Sequence, residues 1–356
     1  DSMVSRGKCR TLWTVLLCSS VILAGCFGEG TEEVTFDEDD VLLSDGLTSV
    51  EVEGGLAGDR GAASEQILSG LAEPKRHTLV KRVTQTLSQS SPDGLETSQA
   101  ELHSWFDVVA TKTADGETSY RVTYQRIRYS HTLPGESLSY DTVEPGPDVP
   151  GTLIHLSELS RRGFSFRTTG GGTSMELVDV PSTVYSGELT GTGASDFVSD
   201  QIGLVLLGVA SGQQATAPSP RTRHVTTPVS LDMSTRYSVK GTAEGSITLD
   251  MLGSVSSASS PTRIQLAGGS VSVNLGGGHA FGEMTIDTSS GVPVRADWNC
   301  YIEISMRTES GDRIDQRKHE VMTIRAAQSV SEATSAGPTS LHRSEPPLLQ
   351  PAGATP

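Results

Sequence analysis

Residues 292–307, VPVRADWNCYIEISMR, give the clearest indication of the fold class, because apolar side chains stand at every even position. The odd positions are filled mainly by charged and polar residues. A period of two is that of a β-strand with one dry face and one solvent-facing side. At about 3.3 Å per residue this strand would be about 50 Å long, so we expect it to twist or bend.

Residues 75–129 predict three further strands that form an antiparallel meander. The turn signals SPDG (residues 91–94) and ADG (residues 114–116) separate runs that are rich in β-branched and aromatic residues. The phase of the alternation changes near residues 125–126, which indicates a β-bulge at that point.

The rest of the chain predicts short strands and at most two helices. Leucines at a spacing of three predict a short helix over residues 151–161, which Gly163 would end. Residues 196–209 predict a longer helix, although Gly203 and Gly208 weaken it and an apolar strand is the alternative. The glycines of residues 276–278 predict a turn between two strands. Further strands are expected near residues 137–143, 164–166, 175–180, 236–240, 246–252, 263–266, 270–275, 283–287 and 313–325.

The predicted fold class is therefore mainly β. Long antiparallel strands with a single dry face favour a curved antiparallel sheet that forms a sandwich or an open barrel, with one or two short helices.

Composition excludes two classes of protein. The 356 residues carry a formal net charge of −16, whereas a nucleic-acid-binding protein needs a basic face. Four cysteines are too few for a disulfide-dense scaffold.

The N-terminal residues predict export and lipidation. A basic leader precedes residues 12–23, an uncharged run that is shorter than the roughly 20 residues of a membrane-spanning helix. The run ends in Leu23-Ala24-Gly25-Cys26, which resembles the lipobox of bacterial lipoproteins. The resemblance implies that the Cys26 thiol receives a diacylglycerol and becomes the mature N-terminus. An ordinary signal peptide or an uncleaved anchor is the alternative.

These features divide the chain into four parts. We expect a signal peptide over residues 1–25, a lipidated acidic tether that is mostly disordered over 26–71, a β-rich domain over 72–327 and a disordered tail over 328–356. The acidic cluster of residues 37–40 has a second interpretation as a cation site. It lacks the glycine and the distal glutamate of a calcium-binding loop.

Residues 75–326 also resemble, weakly, an uncharacterised family of bacterial cell-envelope lipoproteins. The resemblance rests on residues 108–127, on Ser139-Tyr140-Asp141 and on residues 282–294. These stretches are hairpin-forming, and the resemblance implies no catalytic residues.

No sequence motif for catalysis, a metal or a cofactor is found, and we predict none of the three. The eight histidines are scattered, and neither a nucleophile elbow nor a phosphate-binding loop occurs. Gly276 to His279 has a second interpretation as an oxyanion loop beside a base. His103, next to Trp105, is interpreted as a strand residue whose hydrogen bonds are satisfied.

The leading hypothesis is a membrane-anchored, extracytoplasmic binding module without catalytic activity. The apolar face that carries Trp298, Ile302, Ile304 and Met306 is the candidate site for an apolar or lipid ligand. A structural or protein-interaction module of the cell envelope is the main alternative. A hydrolase whose triad is assembled from distant residues is a third possibility.

The expected partners are the membrane, through the lipid on Cys26, and an apolar small molecule or an envelope protein. Phe27 follows the lipidated cysteine where some bacteria use aspartate to retain lipoproteins on the inner membrane, so the outer membrane is favoured. Cys300 shares a face with Trp298 and Ile302, which favours a buried side chain over an intermolecular disulfide.

Replacing Cys26 with serine tests the lipobox. In a bacterial host that modifies lipoproteins, the unchanged chain is expected to incorporate labelled palmitate and to partition into detergent, because acyl chains on Cys26 bind it to membranes. Cys26→Ser should do neither, whereas Cys300→Ser, the matched control, should behave like the unchanged chain. Equal labelling of the unchanged chain and Cys26→Ser would contradict lipidation at this cysteine.

Overall fold

A computed structural model describes residues 73–327, apart from residues 93, 114–116, 146–148, 150, 170–172, 186–192, 210–214, 226–230, 258–261 and 267–268. The predicted signal peptide, the tether with its acidic cluster, and the tail lie outside the described residues.

Fifteen strands and two α-helices are formed by the described residues. The strands are β1 (Lys75–Ser91), β2 (Gly94–Lys112), β3 (Thr118–Leu133), β4 (Glu136–Asp141), β5 (Phe164–Thr169), β6 (Ser174–Asp179), β7 (Gly208–Val209), β8 (Ala215–Thr216), β9 (Arg221–Val225), β10 (Leu231–Ala243), β11 (Ser246–Ser257), β12 (Thr262–Leu266), β13 (Gly269–Asp287), β14 (Pro293–Thr308) and β15 (Arg313–Ala326). The helices are α1 (Ile154–Arg162), which follows a 3₁₀ turn at Gly151–Leu153, and α2 (Ala194–Ile202).

Thirteen of these strands form one antiparallel sheet, so the predicted fold class is confirmed. Its order is β6-β5-β3-β2-β1-β15-β14-β13-β11-β10-β9, with β4 paired to β3 and β12 paired to β13. The predicted meander is β1, β2 and β3, which pair in sequence order. The predicted bulge is also present, because Trp105 pairs with Arg126 and the next residue, Phe106, pairs with Tyr124, which leaves Gln125 as the extra residue.

The long alternating strand lies near the middle of the sheet as β14. It pairs with β13 on one side and with β15 on the other. Ala296, Cys300, Ile302 and Met306 are all buried, as the alternation predicts. The buried Cys300 confirms the apolar interpretation of this thiol.

Two predicted elements are wrong in detail. Gly276 to His279 is not a turn, because β13 continues through it with a register shift between Leu275 and Gly277. A bulge satisfies the same glycine preference without reversing the chain, since Gly277 takes a φ of 112°. The oxyanion-loop alternative is wrong for the same reason.

The predicted helix over residues 196–209 is shorter than expected. Its helical part is α2, which Gly203 ends in the left-handed conformation with a φ of 71°. The amide N–H of Gly203 donates to the carbonyl of Ser199 at 2.7 Å, a common way to close a helix. Apolar Leu204 and Val205 then follow outside regular secondary structure and remain buried.

The sheet curls so strongly that strands far apart in it approach the same helix. Strand β9 lies six strands from β1 along the sheet, which would be roughly 29 Å in a flat sheet at about 4.8 Å per strand. Nevertheless, Asp200 of α2 reaches both: its carboxylate contacts Arg223 of β9, and its backbone carbonyl accepts a hydrogen bond from Lys81 of β1. Helix α2 therefore lies inside the concave face and bridges β1 and β9.

One continuous hydrophobic core fills the concave side. It contains inward-facing residues of most strands of the large sheet, including β1, β14 and β15, and apolar residues of both helices. The rings of Phe164 and Phe197 meet edge to face at 5.1 Å, which fixes α2 against β5. Among the described residues, no helix is both long enough and apolar enough to cross a membrane.

Gly203→Ala and Gly245→Ala form a matched pair that tests how α2 is seated. Both glycines have a φ near +72°, so both substitutions should cost about 1–2 kcal/mol of backbone strain. A methyl group at Gly203 would stand 2.6 Å from Cδ1 of the buried Ile324, whereas one at Gly245 would meet nothing within 4 Å. Gly203→Ala should therefore lose about 1–3 kcal/mol more of unfolding free energy in urea titrations. Equal losses would show that α2 is not packed against β15 as described.

Candidate functional site

A cavity of about 120 Å³ lies between α2 and the concave face of the sheet, partly open to solvent. Its walls come from α2 and the residues after it, from β9 and β10 at one end of the sheet, and from β1, β11, β13, β14 and β15. The cavity therefore occupies the space where the curled sheet closes on α2.

The indole of Trp298 forms part of the apolar wall. Trp298 stands beside Gly282 of β13, which in turn pairs with Met251 of β11. A methyl group built on Gly253 of β11 would come within 3.2 Å of the far edge of the indole, so the ring extends across β13 to β11. Small residues at positions 253 and 282 leave room for this flat ring.

Methionines surround the indole. Four of the seven methionines of the chain line this one cavity, namely Met233, Met251, Met284 and Met322. Methionine is unbranched and polarisable, and it adapts to ligands of different shape. Val83 and Val205 complete an apolar surface that would bind hydrocarbon in preference to water.

Charged side chains also line the cavity. The guanidinium of Arg223 donates to Oδ1 of Asp200 at 2.7 Å and lies 2.6 Å from Oδ2, and both side chains are nearly buried. Arg221, two residues before Arg223 on β9, donates to the carboxylate of Asp196. The ammonium of Lys81 donates to the backbone carbonyls of Asp200 and Gln201, which are unpaired acceptors at the C-terminus of α2.

Burial shifts the pKa values of two ionisable groups that line the cavity. Desolvation raises the pKa of Asp200 to about 6, although the attraction of Arg223, Arg221 and Lys81 opposes the shift. Desolvation likewise lowers the pKa of Lys81 to about 8, against the attraction of Asp200 and Glu320. The uncharged forms of Asp200 and Lys81 are therefore easier to reach near pH 7 than they would be in water.

A buried polar row continues from the cavity along β1 and β15. Glu320, which lines the cavity, accepts a hydrogen bond from Gln85 at 2.8 Å and pairs with Lys318 at 3.0 Å. Gln316 donates to Gln89 at 2.6 Å, but its Oε1 has no hydrogen-bond partner among the described residues. Such a row is unusual for a core face, because buried polar groups cost free energy unless they are paired.

Only part of the predicted ligand face lines the cavity. Trp298 contributes its indole, whereas Ile302, Ile304 and Met306 are buried in the hydrophobic core and do not line this cavity. Their role in ligand binding stays a prediction. Cys300 does line the cavity, and burial, with a further contribution from Glu320, raises its pKa to about 12.

The sequence did not predict the charged residues of the cavity lining, Lys81, Asp200 and Arg223 among them. Lys81 had a detectable signal, because it occupies an inward position between Leu79 and Val83 in the alternation of β1. Arg223 and Asp200 had none, because no local pattern indicates that α2 and β9 meet.

One cluster outside the cavity contains the residue types of a hydrolytic triad. Nε2 of His77 lies 2.9 Å from Oγ of Ser290 and 3.8 Å from the carboxylate of Asp287. In a triad the acid and the nucleophile contact opposite nitrogens of the imidazole, whereas here both lie at the same nitrogen. Asp287 also accepts hydrogen bonds from the turn at Ser289 and pairs with Lys75, so the cluster fixes the turn after β13.

His103 also has an acidic neighbour. Its Nε2 lies 2.8 Å from Glu101, which also pairs with Arg82, and its ring contacts Trp105 with centroids 5.6 Å apart. His103 is thus satisfied within the sheet, as the sequence interpretation expects. Among the described residues, no three histidine, cysteine, aspartate or glutamate side chains are grouped as a metal site would require.

Comparisons with known proteins yield likeness of fold alone. No protein-family model matches the chain, and neither does a curated sequence. A lipovitellin structure shares 8% identity over 72% of this chain, with a TM-score of 0.36, and the chain spans about a quarter (26%) of its length. A DUF1329 family protein from Desulfovibrio piger shares 10% identity over 71% of this chain and 88% of its own, with a TM-score of 0.14.

A Vibrio parahaemolyticus domain described as an outer-membrane lipoprotein-sorting protein has a TM-score of 0.11. It shares 8% identity over 71% of this chain and 88% of its own. These likenesses are too distant to carry an argument about function, and the weak family resemblance of residues 75–326 is not supported by a family match.

The pH dependence of stability tests the environment of Asp200. Because the pKa of Asp200 is about 6 in the folded chain and lower in the unfolded chain, the folded state binds more protons between about pH 4 and pH 6. The unfolding free energy should therefore fall as the pH rises through this window, by on the order of 2 kcal/mol from this group.

Asp200→Asn removes the titrating group, so its unfolding free energy, measured by urea titration at each pH, should fall less across the window. Asp250→Asn, a change at a half-exposed carboxylate of β11, should keep the slope of the unchanged protein. The same slope in all three proteins would contradict the raised pKa of Asp200.

Proposed function

We propose that this protein is a non-catalytic binding module of the bacterial cell envelope, which holds a small apolar or amphipathic ligand in the cavity under α2. The observation that carries the proposal is the composition of that cavity, which combines an indole and four methionines with three cationic side chains and two carboxylates. Ligand sites in proteins commonly combine an apolar lining with a few placed polar groups.

The volume of the cavity limits the ligand. About 120 Å³ is close to the roughly 150 Å³ of an engineered apolar cavity that binds benzene, and it is below the 300–1,000 Å³ typical of drug-sized ligands. The buried part of the ligand would therefore be about the size of a six-carbon group. A longer chain would extend through the open side of the cavity.

The predicted lipid on Cys26 supports an envelope location for this activity. A lipidated N-terminus followed by the acidic segment of residues 26–71 would hold the β-rich domain near a membrane surface. A tethered module with an apolar pocket suits the capture of molecules that leave or enter that membrane.

A protein-interaction module is the second candidate, because the convex face carries exposed apolar side chains. Leu252 of β11 is 65% exposed and pairs with Phe281 of β13, which is 44% exposed. The rings of Phe281, His279 and Tyr301 continue this patch across the sheet. Exposed apolar patches of this kind often mark contacts with other proteins.

Val205→Phe tests whether the cavity binds the ligand. Val205 is buried in the segment that follows α2 and lines the cavity, so a larger ring there should occupy cavity space. Binding of an apolar fluorescent probe, 1-anilinonaphthalene-8-sulfonate, should weaken at least tenfold relative to the unchanged protein.

The control is Val239→Phe, an identical change at a half-exposed position of β10. It should leave probe binding unchanged, while circular dichroism reports whether each variant is folded. Equal binding by folded Val205→Phe and the unchanged protein would place the apolar site elsewhere and favour the patch around Leu252 and Phe281.

A further inference from the structure

The charges that line the cavity do not cancel. Three cationic side chains, those of Lys81, Arg221 and Arg223, line it together with two carboxylates, those of Asp200 and Glu320. Two of these groups have an ion-pair partner outside the lining, Asp196 for Arg221 and Lys318 for Glu320, so the whole cluster holds four cations and three carboxylates. Most of these groups are nearly buried, so water screens their charges less well than it would at the surface. The lining therefore carries an excess of one positive charge in a place where a net charge is costly.

We infer that the cavity is built for a monoanionic amphiphile, a carboxylate attached to a short or medium apolar chain. The apolar chain would lie against Trp298 and the methionines, and the carboxylate would pair with the guanidinium groups of β9. This inference rests on the proposed function, and it adds the charge of the ligand.

The two arginines suit a carboxylate better than a lysine pair would. Arg221 and Arg223 stand two residues apart on one strand, so both guanidinium groups point from β9 toward the cavity. Each guanidinium is a planar fork of donors that matches the two oxygens of a carboxylate. Lys81 contributes positive charge, but its ammonium is already held by the carbonyls at the end of α2.

Asp200 occupies the position that a ligand carboxylate would compete for. Its side chain is paired with Arg223, and it faces Arg221 from the same strand, Lys81 from β1 and Asp196 from its own helix. Glu320 of β15 lies on the other side of Lys81 and pairs with Lys318. A carboxylate ligand would share Arg223 with Asp200, or replace Asp200 there when that side chain takes up a proton.

Neutral and cationic ligands fit the lining less well. A neutral ligand leaves the excess positive charge uncompensated, and a cationic one adds to it. The difference among three ligands of equal chain length therefore isolates the role of charge from that of the apolar wall.

Isothermal titration calorimetry of the purified full chain at pH 7.5 tests the inference with octanoate, 1-octanol and octylammonium, each below the concentration at which it aggregates. Octanoate should bind at least tenfold more tightly than 1-octanol, and octylammonium should bind most weakly. Similar binding of octanoate and 1-octanol would overturn the charge inference while leaving the proposed function intact. No binding of any of the three would overturn the proposed function.

Two substitutions locate the charge recognition. Arg223→Gln should weaken octanoate about tenfold and leave 1-octanol unchanged, whereas Asp200→Asn should strengthen octanoate by several-fold because Arg223 loses its internal partner. If Arg223→Gln does not fold, as judged by circular dichroism, Arg221→Gln at the more exposed arginine replaces it with the same expectation. Equal loss of octanoate and 1-octanol in a folded arginine variant would contradict an anion site at β9.

Discussion

A single antiparallel sheet with one apolar face must bury that face, and this constraint shapes the whole molecule. No second sheet of comparable size is formed by the described residues, so the thirteen-stranded sheet curls around its own concave side. The two helices fill the space that remains inside the curl. The long alternating strand β14 lies near the centre of this arrangement and supplies apolar side chains to the core along its length.

The curl also explains why charged residues meet in the interior. Strands β1 and β9 are far apart along the sheet, yet α2 contacts both, through the Lys81 ammonium on one side and the Arg223 guanidinium on the other. Arg223 is paired with a carboxylate and Lys81 with backbone carbonyls, which limits the cost of removing them from water but leaves one positive charge in excess. A hydrophobic contact could seal this junction with less desolvation, and the proposed function would give the charged residues a role in holding the polar end of a ligand.

The convex face presents a different chemistry. Its aromatic and imidazole rings stack on one another across β13, β14 and β15, with the rings of Tyr301 and His319 4.2 Å apart. Cross-strand pairs of this kind stabilise a sheet. The proposed ligand site thus lies on the concave face, whereas the surface proposed for a protein partner lies on the convex face.

Much of the fold could be predicted from the sequence, because strand periodicity and turn residues act over short distances. The alternation of residues 292–307, the meander and the bulge at Gln125 all depend on neighbours along the chain. The glycines at 276–278 show the limit of such reasoning, since a bulge and a turn favour the same residue type. Gly203 shows a second limit. From the local sequence, a glycine that ends a helix cannot be distinguished from one that merely destabilises a longer helix.

The β-rich class, the apolar face that includes Trp298 and the buried state of Cys300 can be inferred from the amino-acid sequence, because each follows from a period of two along a single strand. Which part of that face borders a cavity, and which charges surround it, depends on how distant strands are brought together. Lys81, Asp200 and Arg223 come from elements that are far apart in the chain, and the curvature of the sheet brings them together. Curvature accumulates from small twists over many strands, so no single stretch of sequence encodes it.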